Sequence, residues 1–134
     1  MRILILIALS FAGFEASAQD AKTLTALNNV QHEMTVCVSY YSIVKSCAGN
    51  QDEGLSVHTQ KTVDVLTARL IKLGGTIGMT QDAMLSRLKT AQDEQQGLIN
   101  NNCVNMSSLY QRHAARCKLV TENGDAVLDE YLKR

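Results

Sequence analysis

Four cysteines in a chain that contains no proline limit the folds open to this sequence. The cysteines form two pairs along the chain, Cys37 with Cys47 and Cys103 with Cys117. An even number of cysteines in a short exported chain is typical of a disulfide framework. The absence of proline leaves helices free of their strongest breaker. The sequence therefore predicts an all-α fold that is cross-linked by two disulfides.

The first 18 residues have the pattern of a cleavable export signal. Arg2 supplies a positive start, residues 3–14 are almost continuously apolar, and Ala16 and Ala18 supply the small residues of a cleavage site. The apolar run is too short to span a bilayer with margin. We therefore predict a signal peptide over residues 1–18 and one mature helical domain over residues 19–134. The predicted location is the periplasm or the medium outside a bacterial cell, with no stable membrane anchor.

The charge balance and the aromatic content exclude several kinds of partner. The chain has 13 basic and 13 acidic residues, and the predicted signal removes one of each sign. A neutral balance favours neither a nucleic acid nor an anionic membrane surface. Both phenylalanines lie in the signal, which leaves four tyrosines as the aromatic residues of the mature domain. We therefore predict no nucleic-acid partner, because a base-stacking platform needs more aromatic surface.

Apolar residues recur every three or four positions through most of the mature chain, which predicts helices. The first predicted helix covers residues 22–47 and ends at Gly49, where glycine is suited to the C-terminal cap. The second covers residues 53–73, and Gly74 and Gly75 are predicted to end it. Two long helices therefore make up the first half of the domain.

The second half of the mature domain starts with the clearest N-terminal helix cap in the sequence. Thr80 is a residue type that accepts backbone hydrogen bonds at a helix N-terminus. The helical pattern then continues to residue 120, either as one long helix or as two helices separated at residues 100–102. A short last helix is predicted over residues 125–132.

The cysteine spacing decides between one helix and two. A disulfide requires Cα atoms within about 7 Å, whereas ten helical residues separate Cys37 from Cys47 by about 15 Å. The bridges must therefore cross between helices. The first predicted helix rises to Cys47, the second runs back down, and the third rises again by a similar length. Cys103 then lies level with Cys47. Cys117 can return to Cys37 only if the chain reverses at residues 100–102.

We therefore predict an up-down-up-down four-helix bundle with a short C-terminal helix. Its two nested bridges are Cys37 to Cys117 and Cys47 to Cys103.

Two amides occupy predicted core positions on the third helix. Gln92 and Gln95 stand where bundle packing normally places leucine. Buried amides need hydrogen-bond partners. One interpretation is a hydrogen-bond network between helices, and the other is a binding groove lined by Gln92 and Gln95.

A soft-metal site is the alternative function. His113 and Cys117 are four residues apart on one helix face, and His32, Met34 and Cys37 cluster on the first helix, which is ligand-like spacing for a soft metal such as copper or zinc. Cysteines that are joined in disulfides cannot bind a metal as thiolates. If the cysteines are oxidised, His113 is expected to pack near Tyr40 with its ring nitrogen hydrogen-bonded. We predict the oxidised form, with no bound metal and no cofactor.

Catalytic chemistry has little support in the sequence. Asp93 and Glu94 are adjacent on a helix and point in different directions, so they do not form an acid and base pair. The serines lack the glycine context of a nucleophile elbow. We therefore predict a non-enzymatic protein that binds a protein or another envelope component, as an inhibitor, an immunity protein or an adaptor does.

Overall fold

The computed structural model describes residues 12–49 and 52–134, with side chains from residue 20 onward. Residues 1–11, most of the predicted signal peptide, lie outside the described residues. The described residues form helices and no strand, which confirms the predicted all-α fold with a short C-terminal helix. The five α-helices are α1 (Ala12–Ala48), α2 (Glu53–Thr76), α3 (Gln81–Leu98), α4 (Met106–Glu122) and α5 (Gly124–Leu132).

Helix α1 is longer than predicted at its start and ends where expected. It is already helical at Ala12, the first residue that the structure describes, and not only from residue 22, so its backbone continues without a break through the predicted cleavage site. At its other end Gly49 has φ +52°, a left-handed conformation that glycine adopts without steric cost. The Gly49 amide donates to the carbonyl of Lys45 at 3.1 Å and closes the last turn.

Helix α2 does not end at Gly74 and Gly75, so that prediction is wrong. The helix continues to Thr76, and the turn is made by Gly78 at φ +74°. Gly74 has a packing role instead, because a Cβ atom there would overlap Sδ of Met84 on α3. The missing side chain lets the end of α2 approach α3. Gly75, by contrast, has open space where its Cβ would lie.

Asparagines separate α3 from α4, which confirms the two-helix prediction. Thr80 caps α3 as expected, since its Oγ1 accepts from the amide of Ala83 at 3.2 Å. After α3 ends, Asn100 and Asn101 adopt φ +52° and +53°. Asparagine tolerates this left-handed region better than most residues with a side chain. The single long helix over residues 80–120 is therefore excluded.

Helix α1 is the centre of the molecule, because each of the other four helices packs against it. Helix α4 also contacts α3 and α5, whereas α2 packs extensively against α1 alone. The largest fully buried apolar side chains come from α1, α2, α4, α5 and the α3–α4 turn. They are Ile43, Leu66, Ile99, Leu109, Val120 and Val127.

Two disulfides cross-link the helices. Cys37 bonds to Cys117 with a Cα–Cα distance of 5.2 Å, and Cys47 bonds to Cys103 with 5.4 Å. These are the two pairs that the helix lengths predict. The outer bridge joins α1 to α4 inside the core, and the inner bridge ties the end of α1 to the start of a 3-10 turn at Cys103–Asn105.

The buried face of α4 includes Leu109 and not Tyr110. Tyr110 follows Met106 by four residues and precedes Cys117 by seven, a spacing that predicts an inward position, but Tyr110 is 43% exposed while its neighbour Leu109 is 0% exposed. Met106 and Cys117 are both buried. The predicted inward position of Tyr110 is therefore wrong, and Leu109 occupies that part of the buried face.

Candidate functional site

Only one of the two amides of α3 lies on its buried face. Gln95 is 2% exposed, and its Nε2 donates to the Val36 carbonyl of α1 at 2.9 Å. Ala91, four residues earlier, is buried on the same stripe. Gln92 lies about 100° further around the helix from Ala91 and is exposed. The predicted core position of Gln92 is therefore wrong, and Gln95 acts as a contact between α3 and α1.

Two of the three residues of the metal hypothesis, Cys37 and Cys117, come together, but in an oxidised form. Cys37 and Cys117 are bonded to each other, so neither offers a thiolate. Within residues 12–49 and 52–134, no three His, Cys, Asp or Glu side chains are grouped to hold a metal ion. A soft-metal site at His113, Cys117 and Cys37 would first require reduction of this disulfide.

His113 packs against Tyr40 as expected, with their ring centroids 6.1 Å apart. Its Nε2 atom is buried, and no described residue hydrogen-bonds it, so the expected ring hydrogen bond is absent at that atom. Burial lowers the pKa of His113, and the positive charge of Arg112 lowers it further. Burial also raises the pKa of Tyr40 to about 12, with Tyr41 and Tyr110 adding to the shift. Both rings are therefore neutral parts of the core near pH 7.

A groove of about 450 Å³ lies between α2 and the α4–α5 junction, and we call it the α2–α5 groove. It exists because α2 packs extensively against α1 alone. Its floor is apolar and is formed mainly by α1, while its two walls carry polar and charged side chains. The floor residues are Leu27, Val30, Met34, Leu73 and Leu128.

The two walls of the α2–α5 groove carry opposite charges. Arg69 and Lys72 lie on the α2 wall, and Glu122 and Asp125 lie on the α4–α5 wall. Arg69 also donates from Nη1 to the Thr121 carbonyl at 3.0 Å, which links the walls at one point. Within the described residues, none of the four charged side chains is in an ion pair. Their charges are therefore available to a partner.

An ionic network holds the α4–α5 wall in place. Arg116 of α4 makes two hydrogen bonds of 3.1 Å and one of 2.9 Å to Glu33 of α1, and its Nη1 donates to Glu130 of α5 at 2.8 Å. Tyr131 donates its hydroxyl to Glu33 at 2.6 Å. Three helices are thereby joined through one carboxylate. Fork-shaped arginine and carboxylate contacts of this kind are geometrically specific.

The network changes the ionisation of its members. Burial favours the neutral form of Glu33, but hydrogen bonds from Arg116 and Tyr131 and the charge of Arg116 outweigh it, so the Glu33 pKa is lowered. The pKa of Arg116 is raised, chiefly by its hydrogen bonds to Glu33. Burial and the hydrogen bond to Glu33 raise the pKa of Tyr131. Glu33 and Arg116 therefore stay charged over a wide pH range.

Sequence patterns did not point to the α2–α5 groove. Its residues come from four helices that are far apart in the chain, and each charged wall residue by itself has the spacing of a solvated helix face. One feature of the sequence could have predicted the ionic network. Glu33 is one turn from Cys37, and Arg116 is next to Cys117, so the predicted outer bridge brings this carboxylate and guanidinium within reach of each other.

No family model, no curated protein and no solved structure matches this chain. No helix within the part of the chain that the structure describes combines the length and the apolar character needed to cross a membrane. The function is therefore inferred from the residues and their geometry.

Proposed function

We propose that this protein is a non-enzymatic binding module of the bacterial envelope, and that its α2–α5 groove binds a segment of a partner protein. The observation that carries the proposal is a groove with an apolar floor between walls of opposite, unpaired charge. Leu27, Leu73 and Leu128 on this floor are partly exposed, whereas Val30 and Met34 are buried. Apolar pockets surrounded by polar residues are where side chains of a partner protein anchor. Inhibitors, immunity proteins and adaptors act through surfaces of this kind.

The groove defines the chemistry of the partner segment. Apolar side chains of the segment enter the floor at Leu27 and Leu128, an acidic group meets Lys72, and a basic group meets Asp125. Charges at the rim of an interface mainly set the orientation and the rate of encounter, whereas the apolar centre sets the lifetime of the complex. The partner is therefore an amphipathic protein segment with charges of both signs along its edges.

We also propose that the protein is exported and that its four long helices form an up-down-up-down bundle. The two disulfides, Cys37–Cys117 and Cys47–Cys103, support an oxidising compartment. Pairs of contacts with α1 support the alternation of directions. Arg87 of α3 meets Gln31 and Gln95 meets Val36, so α3 runs parallel to α1. Cys103 meets Cys47 and Cys117 meets Cys37, so α4 runs antiparallel to α1. The predicted signal over residues 1–18 provides the route.

Crosslinking from the groove tests the binding proposal. A photoreactive amino acid at Thr76, on the α2 wall, should capture a protein in the envelope of the source cell, and the same residue at Lys89, on the exposed side of α3, should not. The captured protein is then purified and its binding kinetics are measured. Lys72→Glu should slow association and alter its salt dependence, whereas Leu27→Ala should accelerate dissociation about tenfold or more.

Two results would overturn the groove as the binding site. One is equal crosslinking from Thr76 and Lys89. The other is a purified partner whose rates are unchanged by both substitutions while both variants keep the wild-type circular dichroism spectrum.

Export is tested separately by expressing the full chain in a bacterium with a periplasm. The product in the periplasmic fraction should have the mass of residues 19–134 less four hydrogens, one pair for each disulfide. A cytoplasmic product that retains residue 1 would contradict the export proposal.

A further inference from the structure

An arginine on α3 is held in a fixed position by two amides of α1. The Nη1 atom of Arg87 donates to Oε1 of Gln31 at 2.7 Å, and its Nη2 donates to Oδ1 of Asn28 at 2.9 Å. Gln31 is 0% exposed, so one of these supports is itself fixed in the core. A guanidinium held at both of its terminal nitrogens is positioned before any ligand arrives, which reduces the entropic cost of binding.

The charge of Arg87 is not neutralised by its supports. Both acceptors are uncharged amides, and no carboxylate of the described residues pairs with Arg87. A guanidinium has five N–H donors, so three remain after the two hydrogen bonds to α1. This geometry suits a carboxylate, which guanidinium groups bind through two parallel hydrogen bonds.

Arg87 faces a cleft between α1 and α3 of about 310 Å³, which we call the α1–α3 cleft. Apart from one alanine, its lining is polar, with donors and acceptors suited to a peptide backbone. The other residues that line it are Asn28, Asn29, His32, Ser86, Thr90, Ala91 and Glu94. The cleft does not include any residue of the α2–α5 groove.

A carboxylate stands at the other end of the cleft. Glu94 is two helical turns beyond Arg87 on α3, about 10 Å along the helix axis. Within the described residues it pairs with no cation. The cleft therefore has a fixed positive group at one end, a free negative group at the other, and uncharged hydrogen-bonding side chains between them.

We propose that the α1–α3 cleft binds a short peptide with free termini, two or three residues long. Its C-terminal carboxylate pairs with Arg87, its N-terminal ammonium pairs with Glu94, and its amide groups hydrogen-bond Asn28, Asn29 and Thr90. An extended peptide advances about 3.3 to 3.6 Å per residue, so two or three residues match the separation of about 10 Å between Arg87 and Glu94 along the axis of α3. A free amino acid is shorter than this separation.

Titration with trialanine tests the proposal on the mature, oxidised protein. Amide chemical-shift changes in a two-dimensional NMR spectrum should centre on residues 28–32 and 86–94, with a Kd below about 1 mM, or roughly 4 kcal/mol of binding free energy. Trialanine amide and N-acetyl-trialanine should each bind at least tenfold more weakly, because each lacks one terminal charge.

Variants connect each peptide terminus to its residue. Arg87→Gln should abolish the preference for trialanine over its amide, and Glu94→Gln should abolish the preference over the N-acetylated form. Lys89→Gln is the matched control, since Lys89 is on the exposed side of α3 in a pair with Asp93, and it should bind trialanine as the wild type does.

The proposal is wrong if wild-type protein shows no saturable shifts with trialanine up to 10 times the expected 1 mM limit, or if alanine itself binds equally well. It is equally wrong if the folded Arg87→Gln variant still prefers the free carboxylate. If Arg87→Gln does not fold, the two blocked peptides on wild-type protein decide the outcome, because undiminished binding of both would contradict the assignment.

Discussion

Replacing both cysteines of the outer bridge, as Cys37→Ala with Cys117→Ala, should lower the free energy of unfolding by about 5 kcal/mol. The change leaves no unpaired thiol, so exchange with the inner bridge cannot occur. Two effects contribute to the loss. One is the chain entropy that the bridge removes from the unfolded state, and the other is the packing of two buried sulfur atoms.

The entropy contribution follows from the nesting of the bridges. Taken alone, the outer bridge closes a loop of 80 residues, which corresponds to about 4.5 kcal/mol on the loop-entropy model. With the inner bridge intact, the path from Cys37 to Cys47, across to Cys103 and on to Cys117 has only about 24 residues. The contribution then falls to about 3.5 kcal/mol.

The packing contribution follows from burial. Cys37 is 0% exposed and Cys117 is 1% exposed. Loss of a buried group the size of a methylene costs about 0.8 kcal/mol, so the two sulfur atoms add roughly 1.5 kcal/mol. The sum is the 5 kcal/mol expected above.

The inner bridge provides the matched control. With the outer bridge intact, its removal costs about 3 kcal/mol on the same model, but Cys103 is exposed and Cys47 only half-buried. Cys47→Ala with Cys103→Ala should therefore lose little packing. The two variants differ mainly in burial and not in loop entropy.

Urea unfolding at 25 °C, followed by circular dichroism, measures both variants. The outer variant should lose more stability than the inner one by about 2 kcal/mol. If it is unfolded in plain buffer, trimethylamine N-oxide restores the folded baseline for both variants and for the wild type. An equal or smaller loss for the outer variant would refute the reasoning, since burial would then contribute nothing.

Three further predictions concern the ionic network, His113 and the end of α2. Glu33→Gln should lower the free energy of unfolding in urea at pH 7 by about 2 kcal/mol. Lys89→Gln, which breaks an exposed ion pair, should lower it by less than about 0.5 kcal/mol. The stabilisation by Glu33 is complete above pH 4.5 and disappears as pH falls through the lowered pKa of Glu33. The pKa of His113 is lower in the folded protein than in the unfolded chain, so the unfolded chain takes up the proton at a higher pH. The free energy of unfolding should therefore fall as pH drops below 6.5. This fall should be smaller in His113→Phe. Gly74→Ala should give a lower melting temperature than Gly75→Ala, because the Cβ at residue 74 displaces the Met84 side chain of α3, whereas the Cβ at residue 75 has open space.

Each of these predictions has a contradicting result. Equal losses for Glu33→Gln and Lys89→Gln would show that the network does not hold α5. An identical pH profile for wild type and His113→Phe would place the His113 ring in water. A higher melting temperature for Gly74→Ala than for Gly75→Ala would mean that α2 and α3 do not approach closely at Gly74.

The amino-acid sequence alone determined the helices, the position of the chain reversal between α3 and α4, and the cysteine pairing. Asn100 and Asn101 mark the reversal because asparagine enters the left-handed region at low cost. The cysteine pairing follows from the fixed lengths of the helices, since a helix rises about 1.5 Å per residue and a disulfide tolerates only a short Cα–Cα distance. Properties of this kind depend on local conformation and covalent geometry, so no knowledge of neighbours is needed.

Only the tertiary structure decided how each helix is rotated about its axis. Gln92 and Gln95 both fit the apolar stripe of α3, but contact with α1 buries only Gln95. Helix α3 packs mainly against one neighbour, so its buried face is narrower than the stripe in its sequence. An apolar stripe about 100° wide therefore leaves the choice between adjacent residues to the packing partner.

The α2–α5 groove and the α1–α3 cleft also depend on the tertiary structure. Leu27, Lys72 and Asp125 share a groove although about 100 residues separate the first from the last, and Arg87 is positioned by amides more than 50 residues away. A local pattern records the face on which a side chain lies, but the space between two helices depends on how both pack against a third. The sequence thus determined the helices and their covalent links, and the packing around α1 determined where the molecule can bind.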